Sequence, residues 1–249
     1  MTTDAVLSDD RRGEVVRQAW SVGVATGAYG ISFGALAVAA GLDVWQAQVL
    51  SLVMFTGGSQ FAFVGIVGAG GLAAAPAAVA TAAMLGIRNG LYGLQTARFL
   101  QVTGLRRLGA AQLTIDESTA VGIAQKEPAA QRLGFWQTGI AVFTLWNLST
   151  LVGSVLGNAL GDPRRLGLDA AAAAAFIALL WPRLKSRDAT ATAVLAAFVA
   201  LLTSPYLPAG IPVILATVAA LVVGLRHAGR HEGPLEGRDG TLPGSDPTP

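Results

Sequence analysis

Seven stretches of this 249-residue chain meet or approach the length and apolar character of a transmembrane helix, and the charged residues cluster between them. A spanning helix needs roughly 20 mainly apolar residues, because each residue rises about 1.5 Å and the hydrocarbon core is about 30 Å thick. The stretches are Trp20 to Ala40, Trp45 to Gly68, Leu72 to Leu94, Phe135 to Leu160, Leu168 to Trp181, Ala189 to Leu202 and Ile211 to Leu225. The fifth and sixth are short and suit a thin or tilted pair. Hydrophobic residues make up 53% of the chain and charged residues 13%, far from the balance of a water-soluble domain. The expected fold is an all-α integral membrane protein, a polytopic bundle of about seven (six to eight) spans. A polar segment (1–19) precedes the transmembrane domain (20–226), and a Gly-, Pro- and charge-rich tail (227–249) is expected to be disordered.

Ala37-Val38-Ala39 resembles a signal cleavage site, but the run before it exceeds the 7–15 residues of a signal core and is preceded by acidic residues as well as arginines. It reads as a retained span. The basic residues flank apolar segments, so topology explains them better than a nucleic-acid partner does. With seven spans and Arg88 left out as intramembrane, one side collects eleven Lys and Arg, including Arg98, Arg106, Arg107, Lys126, Arg132 and Arg226. The other side collects Arg11, Arg12, Arg17, Arg164 and Arg165. Positive loops stay cytoplasmic, which puts the C-terminus inside and the N-terminus outside. An eighth crossing by Ala110 to Gln125 would put both ends inside with the same count.

Enzyme chemistry finds little material. There is no cysteine, and both histidines, His227 and His231, lie beyond the last span. No Ser-His pair or His-liganded zinc can form within the spans. No span holds an acidic pair, and no Walker-type loop is present. An enzyme is not expected, nor a metal or cofactor.

Glycines recur at four-residue spacing: Gly23 and Gly27, Gly30 and Gly34, Gly86 and Gly90, Gly153 and Gly157, Gly157 and Gly161. Such spacing lets helix backbones approach closely in lipid. Around Tyr29-Gly30-Ile31-Ser32-Phe33-Gly34 it also suits a bent or broken helix that exposes backbone groups to a solute. Phe55-Thr56-Gly57-Gly58-Ser59-Gln60-Phe61 is the best candidate for a break, because adjacent glycines weaken a helix and Ser59 and Gln60 are costly against lipid. Helix ends at the midplane offer N–H groups to a carboxylate and C=O groups to an ammonium, the two poles of an amino acid. A polar kink that pairs neighbouring helices is the alternative.

Arg88 lies inside the third stretch, where a charge usually faces a cavity or a partner. Its planar fork matches a substrate carboxylate or an internal Asp; an interfacial arginine is the other reading. Asp116 and Glu117 are candidates for proton coupling or for meeting an ammonium, or else belong to a solvated surface helix. Asn147 reads as a helix–helix hydrogen bond. A faint echo, Trp20-Ser-Val-Gly23 against Trp136-Gln-Thr-Gly139 and Gly41-Leu42-Asp43 against Gly167-Leu168-Asp169, hints at two repeated halves.

Gly27-x-Tyr29-Gly30-x-x-Phe33-Gly34-x-Leu36-Ala37, Ala40-Gly41-Leu42-x-x-Trp45-Gln46-Ala47, and Ser51-Leu52 through Ser59-Gln60-Phe61-Ala62 resemble the signature run of the AzlC family. That family comprises the larger subunit of bacterial branched-chain amino acid exporters. Leu91-Tyr92-Gly93 and Thr114-x-Asp116-Glu117 fit its later blocks, and the resemblance fades after Phe135. It implies ion-gradient-driven export of leucine, isoleucine, valine or analogues across the bacterial plasma membrane, with a small AzlD-type membrane subunit as partner. The family often shows Arg-His before its Leu-Tyr-Gly, whereas Arg88 is followed here by Asn89 and Gly90. The expected substrate-binding set is Tyr29, Gly57, Gly58, Ser59, Gln60, Arg88, Asn89 and Tyr92, with Asp116 and Glu117 as coupling residues. A non-transport structural subunit, or a channel or exporter for another solute, is the competing expectation.

Overall fold

The computed structural model describes residues 7–159, 177, 180–181, 184–208 and 211–231. All regular structure among them is helical: α1 (Asp9–Ala39), α2 (Val44–Val53), α3 (Gly58–Gly70), a 3-10 turn (Leu72–Ala74), α4 (Ala75–Leu100), α5 (Arg106–Gln112), α6 (Asp116–Ala124), α7 (Pro128–Ala159), α8 (Arg187–Thr203) and α9 (Ile211–His231). The expected fifth stretch, Leu168 to Trp181, the Gly167–Asp169 half of the echo and Gly161 lie almost wholly outside the described residues. So does most of the tail, although α9 continues six residues past Leu225 before the description stops. Among the described residues, three runs are long and apolar enough to cross a membrane: Asp9–Ala39, Leu72–Leu100 and Pro128–Ala159. Large apolar side chains point outward from them, among them Ile87, Leu91 and Leu94 of α4.

The spine of the molecule is the pairing of α1 with α7. Neighbours advance together along both helices, from Val15 beside Gly134, through Gly23 beside Ala141 and Gly27 beside Leu145, to Ala35 beside Gly157, so the two run parallel. Glycine makes this possible. A Cβ on Gly30 would lie 2.6 Å from the Trp146 carbonyl oxygen, and one on Gly34 or Gly153 would overlap the facing backbone. The glycine spacing in the first stretch thus serves close packing; α1 is one unbroken helix of 31 residues.

Two parallel helices require the chain to return to its starting side in between, and the way it does so corrects the expected topology. The second stretch is not one span. It is α2 and α3, 10 and 13 residues long, each only about half of a 30 Å crossing. A Schellman turn ends α1, with the Leu42 N–H donating to the Ala37 oxygen at 3.1 Å and the Gly41 N–H to the Val38 oxygen at 2.9 Å. Asp43 then caps α2 through a reciprocal pair with Gln46. The chain turns at Met54–Gly57, and α3 runs back: Gly68 lies against Ala40, and Ile66 and Val67 form one cluster with Leu42. α2–α3 is therefore a re-entrant hairpin.

The stretch weighed as an eighth crossing repeats the pattern from the other end. α5 ascends along α7, with Gly109 beside Trp136 and Leu113 beside Gly139, and α6 descends, with Val121 beside Gly134 and Gln125 bonded to Gln131. α1 followed by α2–α3, and α4 followed by α5–α6, are two similar units in opposite senses, the layout of inverted repeats in transporters. The echo had pointed instead to α1 and α7 as the openings of two halves.

The same tracing moves the N-terminal arginines. Arg11 donates to Gln125 Oε1 at 2.9 Å and to Glu127 Oε2 at 3.3 Å, and Arg132 donates to the Phe99 oxygen at 2.9 Å. The start of α1, the end of α4, the base of α5–α6 and the start of α7 share one end of the bundle. Eight of the nine Lys and Arg between positions 7 and 159 stand at or near this arginine-rich end, the ninth being Arg88. The seven-span count, which put Arg11 opposite Arg98, misplaced the N-terminus because it counted a hairpin as a crossing.

Two measurements check this. In the cysteine-free chain, Ser8→Cys and Leu105→Cys should react with a membrane-impermeant maleimide from one side of the membrane and Leu72→Cys from the other; seven simple spans would put Ser8 and Leu105 on opposite sides. Gly34→Ala should lower the thermal midpoint in detergent by the equivalent of about 1–3 kcal/mol of overpacking or more. Gly65→Ala, whose added Cβ meets nothing within 4 Å, should not.

Candidate functional site

The two hairpins enter from opposite ends and their tips meet beside the middle of α4 and α7. The Gln112 side-chain amide donates to the Leu52 carbonyl oxygen at 2.8 Å, joining tip to tip. Irregular backbone at this depth has no water to satisfy it, so it must be sheltered by protein or line a wet cavity, and here it does both. Gly57 takes φ +61 to make the first turn, and its N–H donates to Gln60 Oε1 at 3.1 Å. At the second tip the Ile115 N–H donates to Ser118 Oγ at 3.2 Å.

Between the tips lies a cavity of about 270 Å³, near the roughly 300 Å³ lower end for small-molecule sites. Its walls are Thr26 and Tyr29 of α1; Phe55, Thr56, Gly57, Gly58 and Phe61 of the first hairpin; Leu85 and Arg88 of α4; Ile115, Asp116 and Glu117 of the second hairpin; Val142 and Trp146 of α7; and Leu180. Phe61, Trp146 and Phe33 pack as an aromatic block, with ring centroids 5.6–6.1 Å apart. The wall is mostly apolar and carries three charged groups.

Arg88 organises those charges. Its Nη1 is 3.2 Å from Asp116 Oδ2, and its Nη2 donates to the Thr56 oxygen at 3.1 Å. One guanidinium thus holds both tips, and its side chain and that of Asp116 keep 27% and 23% exposure. It also sits over the start of α3, where a Cβ on Gly58 would meet Nη2 at 3.3 Å. The first turn of α3 has no acidic residue, whereas that of α6 carries Asp116 and Glu117. The positive end of α6 is met by its own carboxylates; the positive end of α3 is reinforced by Arg88.

Of the residues singled out in the sequence, Tyr29, Gly57, Gly58, Arg88, Asp116 and Glu117 lie together in this wall. Ser59 and Gln60 stand behind it, fully buried, and Gln60 caps Gly57 and reaches the Leu50 oxygen at 3.4 Å. Asn89 and Tyr92 are on α4 outside the lining. Asn147 donates to the Phe143 oxygen of its own helix at 2.8 Å, so that bond is intrahelical. The sequence reading missed Thr56, Ile115 and Trp146 as wall residues, and the second tip altogether. The clue to that tip was Ser118 three residues after Ile115, a first-turn hydroxyl able to cap the chain as it re-enters a helix.

A family model described as AzlC protein matches residues 21–160, the segment that holds α1 from residue 21 onward, both hairpins, α4 and all of α7. Neither a curated protein nor a solved structure matches the chain.

The Arg88–Asp116 pair should behave as a coupled unit. Asp116→Leu alone takes the anion from the guanidinium, and Arg88→Met alone takes the cation from the carboxylate, so each should lower the detergent melting midpoint more than the double variant does. A double variant as unstable as the sum of its parts would show that the two side chains act independently.

Proposed function

The chain belongs to the AzlC family, of transporter type, and from that membership and the charge layout of the cavity we propose that it is the larger subunit of a bacterial branched-chain amino acid exporter. It works as an ion-gradient-driven secondary transporter in the plasma membrane, together with a small AzlD-type membrane subunit.

The observation that carries this reading is the wall itself: one arginine, two carboxylates and otherwise apolar groups around about 270 Å³. A zwitterion with an aliphatic side chain needs each of these. Arg88 and the N-terminus of α3 suit its carboxylate, Glu117 its ammonium, and Phe55, Phe61, Leu85, Ile115, Val142 and Trp146 its hydrocarbon. Asp116 and Glu117, at mid-depth and in contact with the cavity, are the groups able to couple flux to a proton gradient. The two inverted hairpins supply elements that can move separately about a fixed site, as alternating access demands.

The arginine-rich end faces the cytoplasm under the positive-inside rule. α8 and α9 lie side by side and are joined by a short link, so they run antiparallel. Lys185 and Arg187 at the start of the pair and Arg226 and Arg230 at its close then share one end, and the same rule supports a cytoplasmic C-terminus.

Cells preloaded with labelled leucine and expressing the chain with its small partner should show efflux that an uncoupler abolishes. Arg88→Leu should reduce that efflux by tenfold or more at unchanged membrane abundance. Efflux that survives the uncoupler would indicate a passive channel, and no leucine efflux at all would end the branched-chain assignment.

A further inference from the structure

In the structure Arg88 binds an anion already. The Asp116 carboxylate, 3.2 Å from Nη1, is the same chemical group as the α-carboxylate of an amino acid, and it is held against the one cation among the described lining residues. We propose that Asp116 occupies the substrate's carboxylate subsite while the cavity is empty, and that an entering carboxylate displaces it from Arg88, releasing the second hairpin tip from the first. The inference rests on the amino acid reading given above.

Three observations carry it. First, the fork of Arg88 is divided between the hairpins, with Nη2 on the Thr56 oxygen and Nη1 on Asp116. Losing Asp116 therefore loosens the tips from each other, with the Gln112 amide on the Leu52 oxygen still in place as a polar tie. Second, the site has more donors than Asp116 uses. Arg88 Nε, the Thr56 hydroxyl and the Trp146 indole N–H are buried without hydrogen-bond partners, and all three residues line the cavity. A carboxylate arriving from the cavity can reach donors that a carboxylate tethered to α6 leaves unmet, and buried donors gain most from being satisfied. Third, Asp116 lies in the first turn of α6, where the helix dipole offers its carboxylate a favourable setting besides Arg88.

Among the described residues, the charged and titratable groups facing this exchange are Arg88 of α4, Asp116 and Glu117 of α6, and Tyr29 of α1. Among the described lining residues Arg88 is the one cation, so Asp116 and an entering carboxylate compete for it. A ligand without a carboxylate has no means of winning that competition. Leucine should open the tips, and 3-methylbutylamine, which is leucine without its carboxylate, should not.

The chain has no cysteine, so spin labels on Val53→Cys and Leu108→Cys, one exposed site on each hairpin, report the distance between the hairpins in the full chain in lipid nanodiscs. Saturating leucine should lengthen or broaden the distance distribution, and 3-methylbutylamine should leave it unchanged. Asp116→Asn should show the leucine-like distribution with no ligand and should bind labelled leucine several-fold more tightly, since the internal competitor is gone. A merely structural Asp116 would instead lose affinity when replaced. If Asp116→Asn does not fold, the contrast between leucine and the amine in the labelled wild-type background decides alone. Leucine binding with no change in distance, or weaker binding by Asp116→Asn, overturns the exchange and leaves the amino acid reading standing. Absence of leucine binding overturns both.

Discussion

A peptide group in hydrocarbon must find its hydrogen-bond partner inside the protein, and this constraint shapes everything between α1 and α7. Two helices are interrupted at mid-depth, which leaves helix ends and turn residues where no water is assured. The molecule satisfies them by bringing both interruptions to one place. Side chains cap the turns, Gln60 on Gly57 and Ser118 on Ile115, and a single guanidinium closes the gap between them. The cavity exists because the two tips meet without filling the space beside α4 and α7.

Much of this is legible in the sequence, and what is not has a physical reason. The Gly57-Gly58 pair announces the first break, because no other local feature explains two glycines followed by Ser and Gln in an apolar run. Arg88 announces itself by charge at depth. That the second segment turns back rather than crossing is invisible locally, since a 24-residue apolar run has the composition of a span either way. The decision is made by long-range packing: Val67 and Ile66 on Leu42, Gly68 on Ala40. The second tip is harder still. Its helices are only 7 and 9 residues long, too short for a hydrophobic period to stand out, and its acidic first turn reads equally well as a solvated surface helix.

Polar residues inside the apolar runs turn out to divide into two kinds. Gln60, Asn147, Ser118 and Asp43 are spent on backbone groups of their own neighbourhood, the usual fate of short polar side chains. Arg88, Asp116 and Glu117 reach the cavity. Sequence position alone does not separate the two kinds: Asp116 and Glu117 stand in the first turn of α6 and yet reach the cavity, whereas Asn147, deep within α7, bonds its own helix.

The parallel seam between α1 and α7 also sets the order in which the molecule can be made. Its two halves are separated by roughly a hundred residues of chain, and neither hairpin is long enough to span the bilayer unaided. During synthesis at about 5–20 residues per second, α1 waits on the order of 5–20 s for the partner that its glycine face is shaped to receive. Through that interval its small-residue stripe is open to any other helix in the membrane. The chain therefore depends on being held near its site of insertion until α7 emerges, and its vulnerability to mispairing is greatest before the site it builds exists at all.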